Sequence, residues 1–308
     1  PVESALAVVV AFSGVELKPA GGPPLDPIIF EEASCDTWDM ATNTCSINLL
    51  ELAGDKRRVV FSGDIPAGEY QWVRLLVNAA QDEMDSYIEL EDGSMCPMWI
   101  PSGDETGLKV VSGFTVTANG VSDYTLDFDV KSSVTAPPGQ EIDTGMDLQA
   151  CTQNYLLKPA VRIVDTTETG TIAGAVPTTL LDDAGEALGC AVDTTSGLYQ
   201  DVAVYVFENF DGAAAADDID TVMDNANPIT TASVVYDGVG DYTYEVGYLL
   251  SPEDYLLALT CTPAVDMPDS DQYIPDSAQP QAFSFVAQQT VTTVVGQSVD
   301  GSFPAPAP

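Results

Sequence analysis

Almost every side chain in this sequence that could do chemistry is a carboxylate. Forty-eight Asp and Glu stand against nine Lys and Arg, there is no His, and the formal charge is −39. Asp211, Asp217, Asp218, Asp220 and Asp224 fall within fourteen residues, with Asn225 and Asn227 adding amide oxygens. Calcium takes about six to eight oxygen ligands from a flexible loop, which makes this segment the first candidate metal site. Asp266, Asp269 and Asp271, followed by Asp276, form a second. Neither loop has EF-hand spacing with its closing Glu, and a solvated acidic loop has the same composition. Ca²⁺ is the one cofactor these patterns suggest.

Other chemistries are narrowed or excluded. Without His there is no Ser–His or Cys–His nucleophile pair, and a zinc site would need four Cys. Paired carboxylates such as Glu31-Glu32 suit a glycosidase in principle, but nothing in their spacing separates them from ordinary loop acids. Gly170-Thr-Ile-Ala-Gly174 and Gly21-Gly22-Pro23-Pro24 read as turns, because no helix carrying a Lys follows either. Beyond Arg162 there is no cation, while residues 163–308 hold 23 Asp and Glu. That half cannot clamp a phosphate or track a nucleic acid, and it attracts metal ions and basic surfaces instead. Lys56-Arg57-Arg58 is the single basic run. It is too short for nucleic acid and reads as a turn, or as a docking point for the cation-free half of a neighbour. Trp38, Trp72 and Trp99 are candidates for a sugar platform, although Trp72 beside Arg74 also suits a cation–π pair.

Six Cys without a C-x-x-C pair point to disulfides and an oxidising compartment. Cys190 and Cys261 are alone in the second half and are expected to pair. For the other four, Cys35–Cys45 and Cys96–Cys151 are favoured, with the two alternative arrangements left open. The longest apolar stretch, Ala5 to Val15, is too short to cross a bilayer. The opening Pro1-Val2-Glu3 suits a processed secreted chain, so any membrane link would run through an N-terminal signal or lipid anchor that precedes it.

The elements that must position these residues read as strand and turn throughout. In the first half Ala5–Lys18, Ile47–Leu52, Tyr70–Val77, Ser86–Leu90, Gly107–Thr117, Ser122–Val130 and Tyr155–Val164 are rich in Val, Ile, Leu, Tyr and Phe. In Tyr70–Val77 the period is two, with Val73, Leu75 and Val77 on one face and Trp72 and Arg74 on the other. In the second half Thr171–Val176, Asp201–Glu208, Ile229–Tyr236, Asp241–Tyr248, Asp254–Thr262, Ala282–Val286 and Val291–Val295 follow the same grammar. Ala213–Met223 is the one helical candidate. Short strands at this spacing predict an all-β protein of two antiparallel β-sandwich domains in tandem, Ig-like or transthyretin-like. The boundaries are 1–166 and 167–303, followed by a Pro/Ala tail at 304–308. Ile65-Pro-Ala-Gly-Glu-Tyr70 and Leu250-Ser-Pro-Glu-Asp-Tyr255 echo one another, each a Pro turn leading into a strand that starts at Tyr.

Six blocks in order carry a resemblance across residues 1–165. They are Val15-Glu-Leu-Lys-Pro19, Asp64-Ile-Pro-Ala-Gly-Glu-Tyr-Gln-Trp-Val-Arg74, Ile100-Pro-Ser-Gly-Asp-Glu-Thr-Gly-Leu-Lys109, Ser112-Gly-Phe-Thr-Val116, Asp127-Phe-Asp129 and Tyr155-Leu-Leu-Lys-Pro159. The first half thereby resembles the bacterial family of secreted proteins and lipoproteins known as domain of unknown function 4382. That resemblance implies location outside the cell and supplies no reaction. Gly170-Thr-Ile-Ala-Gly-Ala-Val176, Val202-Ala-Val-Tyr-Val-Phe207 and Gly247-Tyr-Leu-Leu with Tyr255 make the second half similar to a prealbumin-type or carboxypeptidase-regulatory-like sandwich. Such modules serve as spacers and adhesion units.

The family's usual first strand does not appear in this sequence; either an open sheet edge is expected near Ala5–Val15, a template for strand addition, or the strand belongs to the protein and was trimmed. The expected function is a secreted, non-enzymatic structural or adhesion protein at the cell surface, assembling with copies of itself or with surface and matrix components. The alternatives are a carbohydrate- or matrix-binding module and, third, a carboxylate-based hydrolase. No nucleic-acid partner is expected.

Overall fold

The computed structural model describes residues 5–35, 37–90, 93–100, 107–135, 155–158, 160–185, 188–208, 227–263, 266 and 283–305. Two compact units divide the chain. One comprises Pro1–Leu52 with Lys56–Thr166, the other Ala53–Asp55 with Thr167–Pro308. The structure is all-β, with several antiparallel sheets.

The first unit is organised around the long Ala5–Pro19 strand. Val8, Val10 and Phe12 alternate into the core as period two requires, yet Val15 and Leu17 enter that same core. The change of parity comes from a bulge between Phe12 and Gly14, where the register slips by one residue. Gly14 is needed there, since a Cβ would lie 2.5 Å from the Ile28 carbonyl oxygen. The bulge also marks a change of neighbours. Before it, the strand pairs with Tyr87–Leu90 and with Thr44–Asn48. Gly68–Asn78 flanks the strand from Ala11 through the bulge to Pro19, and beyond the bulge the short Ile28–Ile29 lies on the other side.

The edge expected to be open along Ala5–Val15 is closed over most of its length. Val9, Ala11, Phe12, Gly14 and Val15 have neighbours of their own chain on both sides, and Ala5–Val9 is joined to Tyr87–Leu90 on one side. Backbone groups that are already paired offer no template, so the template for strand addition is reduced to the second side of Ala5–Val8.

Other boundaries also move. Gly107–Thr117 splits into Leu108–Val110 and Phe114–Val116, which pair with different stretches of Gly68–Asn78. The strand expected at Ile47–Leu52 is instead Thr44–Asn48 followed by a 3-10 turn, Leu49–Leu52. Asn48 ends the strand, its Oδ1 accepting from the backbone of Val8 and Leu50. Tyr155–Leu157 pairs in parallel with Met95–Trp99, while Tyr124–Phe128 and Val161–Asp165 form a separate ribbon.

The second unit has two four-stranded sheets. In one, Val235–Tyr236, Tyr242–Leu250, Thr169–Val176 and Ser298–Asp300 lie in that order, the last pair parallel. In the other the order is Thr230–Ser233, Ala203–Glu208, Asp254–Thr260 and Phe285–Thr292. That last strand joins residues expected in two separate strands. Ile172, Val176, Tyr244 and Val246 from the first sheet share a core with Val204, Val206, Leu257 and Leu259 from the second. The opposite face of the second sheet is buried as well, with Tyr205, Phe207 and Leu256 packed under Phe283 and Phe285. Burial on both faces explains why Ala203–Phe207 reads as a continuous apolar run. Gly170 and Gly174 belong to a strand and not to the turn expected from their spacing. A Cβ at Gly174 would meet the Gly301 backbone at 2.5 Å, so glycine here permits two strands to approach closely.

The two echoed turns share one device. Tyr70 donates its hydroxyl to the Pro66 carbonyl at 2.7 Å, and Tyr255 donates to the Leu250 carbonyl at 3.1 Å. Each hydroxyl latches the strand back onto its own entry turn, as in the tyrosine corners of β-sandwich proteins.

Cys35–Cys45 and Cys190–Cys261 are disulfides, as expected, with Cα atoms 5.7 and 4.8 Å apart. Cys96 is buried and disulfide-bonded; Cys151 lies outside the described residues. The closed loops differ greatly, 71 residues of separation against 10. Chain entropy makes the longer worth about 4 kcal/mol and the shorter about 3 kcal/mol. Urea titration of Cys190→Ala/Cys261→Ala should therefore show the larger loss in its own unit, compared with Cys35→Ala/Cys45→Ala. Equal losses would mean that native-state contacts and not loop closure set their worth.

Candidate functional site

A groove of about 280 Å³ opens on the first unit. Its apolar wall is Val9, Ile47 and Leu52, and its polar groups include Asn48, Glu51, Arg58 and Tyr87. The fold explains the gathering. Val9 faces Tyr87 on one side and Asn48 on the other in register. The 3-10 turn after Asn48 carries Glu51 to the rim, where the Asn48 amide donates to it at 3.3 Å. An apolar floor with a few convergent polar groups is what a small-molecule site requires, and the volume sits just under the usual range of about 300–1,000 Å³. A planar guanidinium, a carboxylate and a phenol together suit hydroxyl-rich ligands with both donors and acceptors.

The basic run is dispersed. Arg58 lines this groove, whereas Arg57 is paired with Asp123 at 2.8 Å. Arg57 is thus engaged within its own unit while Arg58 belongs to the groove, so the run is divided between two places. Trp72 is only 9 % exposed and lies against two cations, with Arg74 4.9 Å and Lys109 4.7 Å from its ring centre. Arg74 is held in turn by Glu16 at 2.8 Å. Trp72 is therefore a packed cation–π centre and no exposed sugar platform. Trp38 and Trp99 are half-buried.

Among the acidic candidates, Asp211, Asp217, Asp218, Asp220, Asp224, Asp269 and Asp271 lie outside the described residues. Asp266 does not sit in the open loop its neighbours suggested. It is 2 % exposed, and its carboxylate accepts from Tyr205 at 2.5 Å. Among the described residues, no group of three or more Cys, Asp and Glu is close enough to hold a metal ion. Glu31 and Glu32 are exposed at the start of a short 3-10 turn.

One ionisable group passed unnoticed in sequence. Asp129 caps a four-residue helix, Val130–Ser133, accepting from the Ser132 hydroxyl at 2.6 Å. Its backbone N–H bonds Ala160, while Lys158 bonds back to Ser133, so two of the sequence blocks quoted above meet here. Beside it Asp127 pairs with Arg162 at 2.7 Å. Burial raises the Asp129 carboxyl above the ordinary Asp range against the pull of Ser132 and Lys131. Burial likewise lowers Lys158 and raises Tyr155. The Asp-Phe-Asp spacing was a usable signal, since alternate positions on a strand share a face; what sequence lacked was the burial.

A carboxyl whose pKa is raised on folding costs stability wherever it is ionised in the folded chain. Protonation removes that cost, so stability attributable to Asp129 increases as pH falls through its raised pKa towards the ordinary Asp value. Asp129→Asn keeps a capping side chain without the charge. The wild-type minus variant stability difference should therefore be most negative near neutral pH and shrink towards pH 4, followed by urea midpoints at about half-unit steps of pH. A pH-independent difference would show that the carboxylate is not strained by burial.

A family model described as Domain of unknown function (DUF4382) matches residues 1–159, which include the groove, the Trp72 centre and Asp129. No curated protein and no solved structure matches the chain. Since the match covers more than half of the 308 residues, the chain belongs to the DUF4382 family.

Proposed function

We propose that this is a secreted, non-enzymatic adhesion or structural protein of the bacterial cell surface, and that the groove beside Arg58 is where it meets a surface or matrix saccharide. The observation that carries the reading is the groove itself: an apolar floor, a phenol, and fixed donors and acceptors within one small volume. The disulfides Cys35–Cys45 in the first unit and Cys190–Cys261 in the second support an oxidising environment outside the cytosol. Among the described residues no helix is long and apolar enough to cross a membrane. The finer architecture belongs to the same proposal. Two four-stranded sheets closing on one shared core support a carboxypeptidase-regulatory-like sandwich for the second unit. An Ig-like sandwich for the first is supported by the tyrosine latch at Tyr70.

The carbohydrate-binding alternative thus merges with the adhesion reading, moved from the exposed Trp residues to the groove. Two measurements test it. Antibody labelling of intact cells, with protease shaving as control, should place the protein on the outer surface; a cytosolic location would overturn the proposal. A glycan array followed by calorimetry should find saccharide binding that Arg58→Ala weakens about tenfold or more, because it removes charge-assisted hydrogen bonds. Binding that is indifferent to Arg58→Ala and Glu51→Ala would move the site elsewhere.

A further inference from the structure

A second surface lies on the other unit, at the end where two Asp-anchored turns meet. In the hairpin of Val235–Tyr236 with Tyr242–Leu250, Tyr236 sits directly opposite Tyr242. The nearby bridge between Val192 and Tyr199 brings a third ring to the same place. Tyr242 is the buried centre, 3 % exposed, and its hydroxyl accepts from the Tyr199 backbone at 2.9 Å. Tyr199 packs on it at 5.8 Å between ring centres and Tyr236 at 5.4 Å. Tyr236 is 37 % exposed, with Val192 open beside the bridge. Tyr236 and Val192 thus form a small exposed apolar patch beside the Tyr242 ring.

Charge decides what that surface accepts. The hydroxyl of Tyr199 donates to the exposed Asp182 carboxylate. Both turns are built on ionised acids. Asp193 accepts from the backbone of Thr195 and Ser196, and Asp237 from Val239, Gly240 and Asp241. These bonds hold both carboxyls below the ordinary Asp range. Residues 163–308 contain no Lys, Arg or His to neutralise them. Tyrosine faces bordered by fixed negative charge attract cations through the ring quadrupole and the carboxylates together.

We infer that the Tyr199–Tyr236–Tyr242 cluster, with Asp182, is a docking surface for a Lys- or Arg-bearing segment of a partner protein. The ammonium or guanidinium would lie against the Tyr236 ring while its aliphatic stem covers the apolar rim, the usual behaviour of long basic side chains. The site is separate from the groove of the first unit, and each can be lost without the other.

The difficulty in testing it is that a protein of charge −39 attracts any polycation. The probe is fluorescein-labelled hexalysine, titrated against the full chain in 0.15 M salt with anisotropy as the readout. Tyr236→Ala leaves the charge unchanged and should weaken binding about threefold to fivefold, whereas Tyr236→Phe should retain it. Asp182→Asn should weaken binding more than Glu253→Gln, which removes an equal charge at an exposed position after another turn. Unchanged melting temperatures would confirm that the Tyr236 variants fold. If Tyr236→Ala binds like wild type, or if Glu253→Gln costs as much as Asp182→Asn, attraction is diffuse and the inference fails.

Discussion

The requirement that buried backbone groups be paired falls most heavily on the Ala5–Pro19 strand. Fifteen residues long and apolar through most of its length, it must find hydrogen-bond partners for nearly every N–H and C=O it carries. No single neighbour supplies them. Four stretches, Ile28–Ile29, Thr44–Asn48, Gly68–Asn78 and Tyr87–Leu90, take turns along its two edges. The bulge before Gly14 keeps Val8, Val10, Phe12, Val15 and Leu17 in one core while the neighbours change along the strand. The groove follows from the same arrangement, because Val9 stands where two of those neighbours meet. Since the partners are far apart in sequence, this unit acquires its centre only through long-range pairing, the slow part of β-sheet formation.

Electrostatics act differently in the two units. In the first, Arg57, Arg74 and Arg162 are each paired with an acid of their own unit. Pairs this exposed stabilise by about 0–1 kcal/mol, so their value is in orientation: Glu16 holds Arg74 over Trp72, and Asp127 holds Arg162 across the ribbon. The second unit has no such partners available, and its acids are managed by backbone N–H groups instead, as at Asp193 and Asp237. Hydrogen bonds from a turn keep a carboxylate ionised but do not cancel its field. That field makes the unit repel its like at low salt and attract whatever is basic.

How far the sequence could be read depended on the range of the interactions involved. Period-two burial in Gly68–Asn78, the Cys190–Cys261 pair and the echoed Pro–Tyr turns were legible because each is local or forced by number. The edge at Ala5–Val15 was misjudged because pairing with residues thirty to eighty positions away leaves no mark in the strand itself. Trp72 shows the same limit. Its proximity to Arg74 was plain from alternation, but Lys109 reaches the ring from a different strand, and burial followed from that. Asp266 looked like one more loop acid until Tyr205 was placed over it. The groove could not be anticipated at all, since Tyr87, Arg58 and Asn48 are gathered by the sheet and by no pattern in the sequence.

The parallel pairing at the start and finish of the second unit has a mechanical meaning. Thr171, Ile172 and Ala173 lie beside Ser298, Val299 and Asp300, and the two strands run the same way. A pull on the ends of the unit enters one strand at its beginning and leaves the other at its close. Tension is then directed along the pair in opposite senses, so its hydrogen bonds are sheared together and cannot be peeled apart in succession. The close contact of Gly174 with Gly301 continues that seam beyond the paired residues. Loaded in this way the pair opens only when all of its hydrogen bonds yield together.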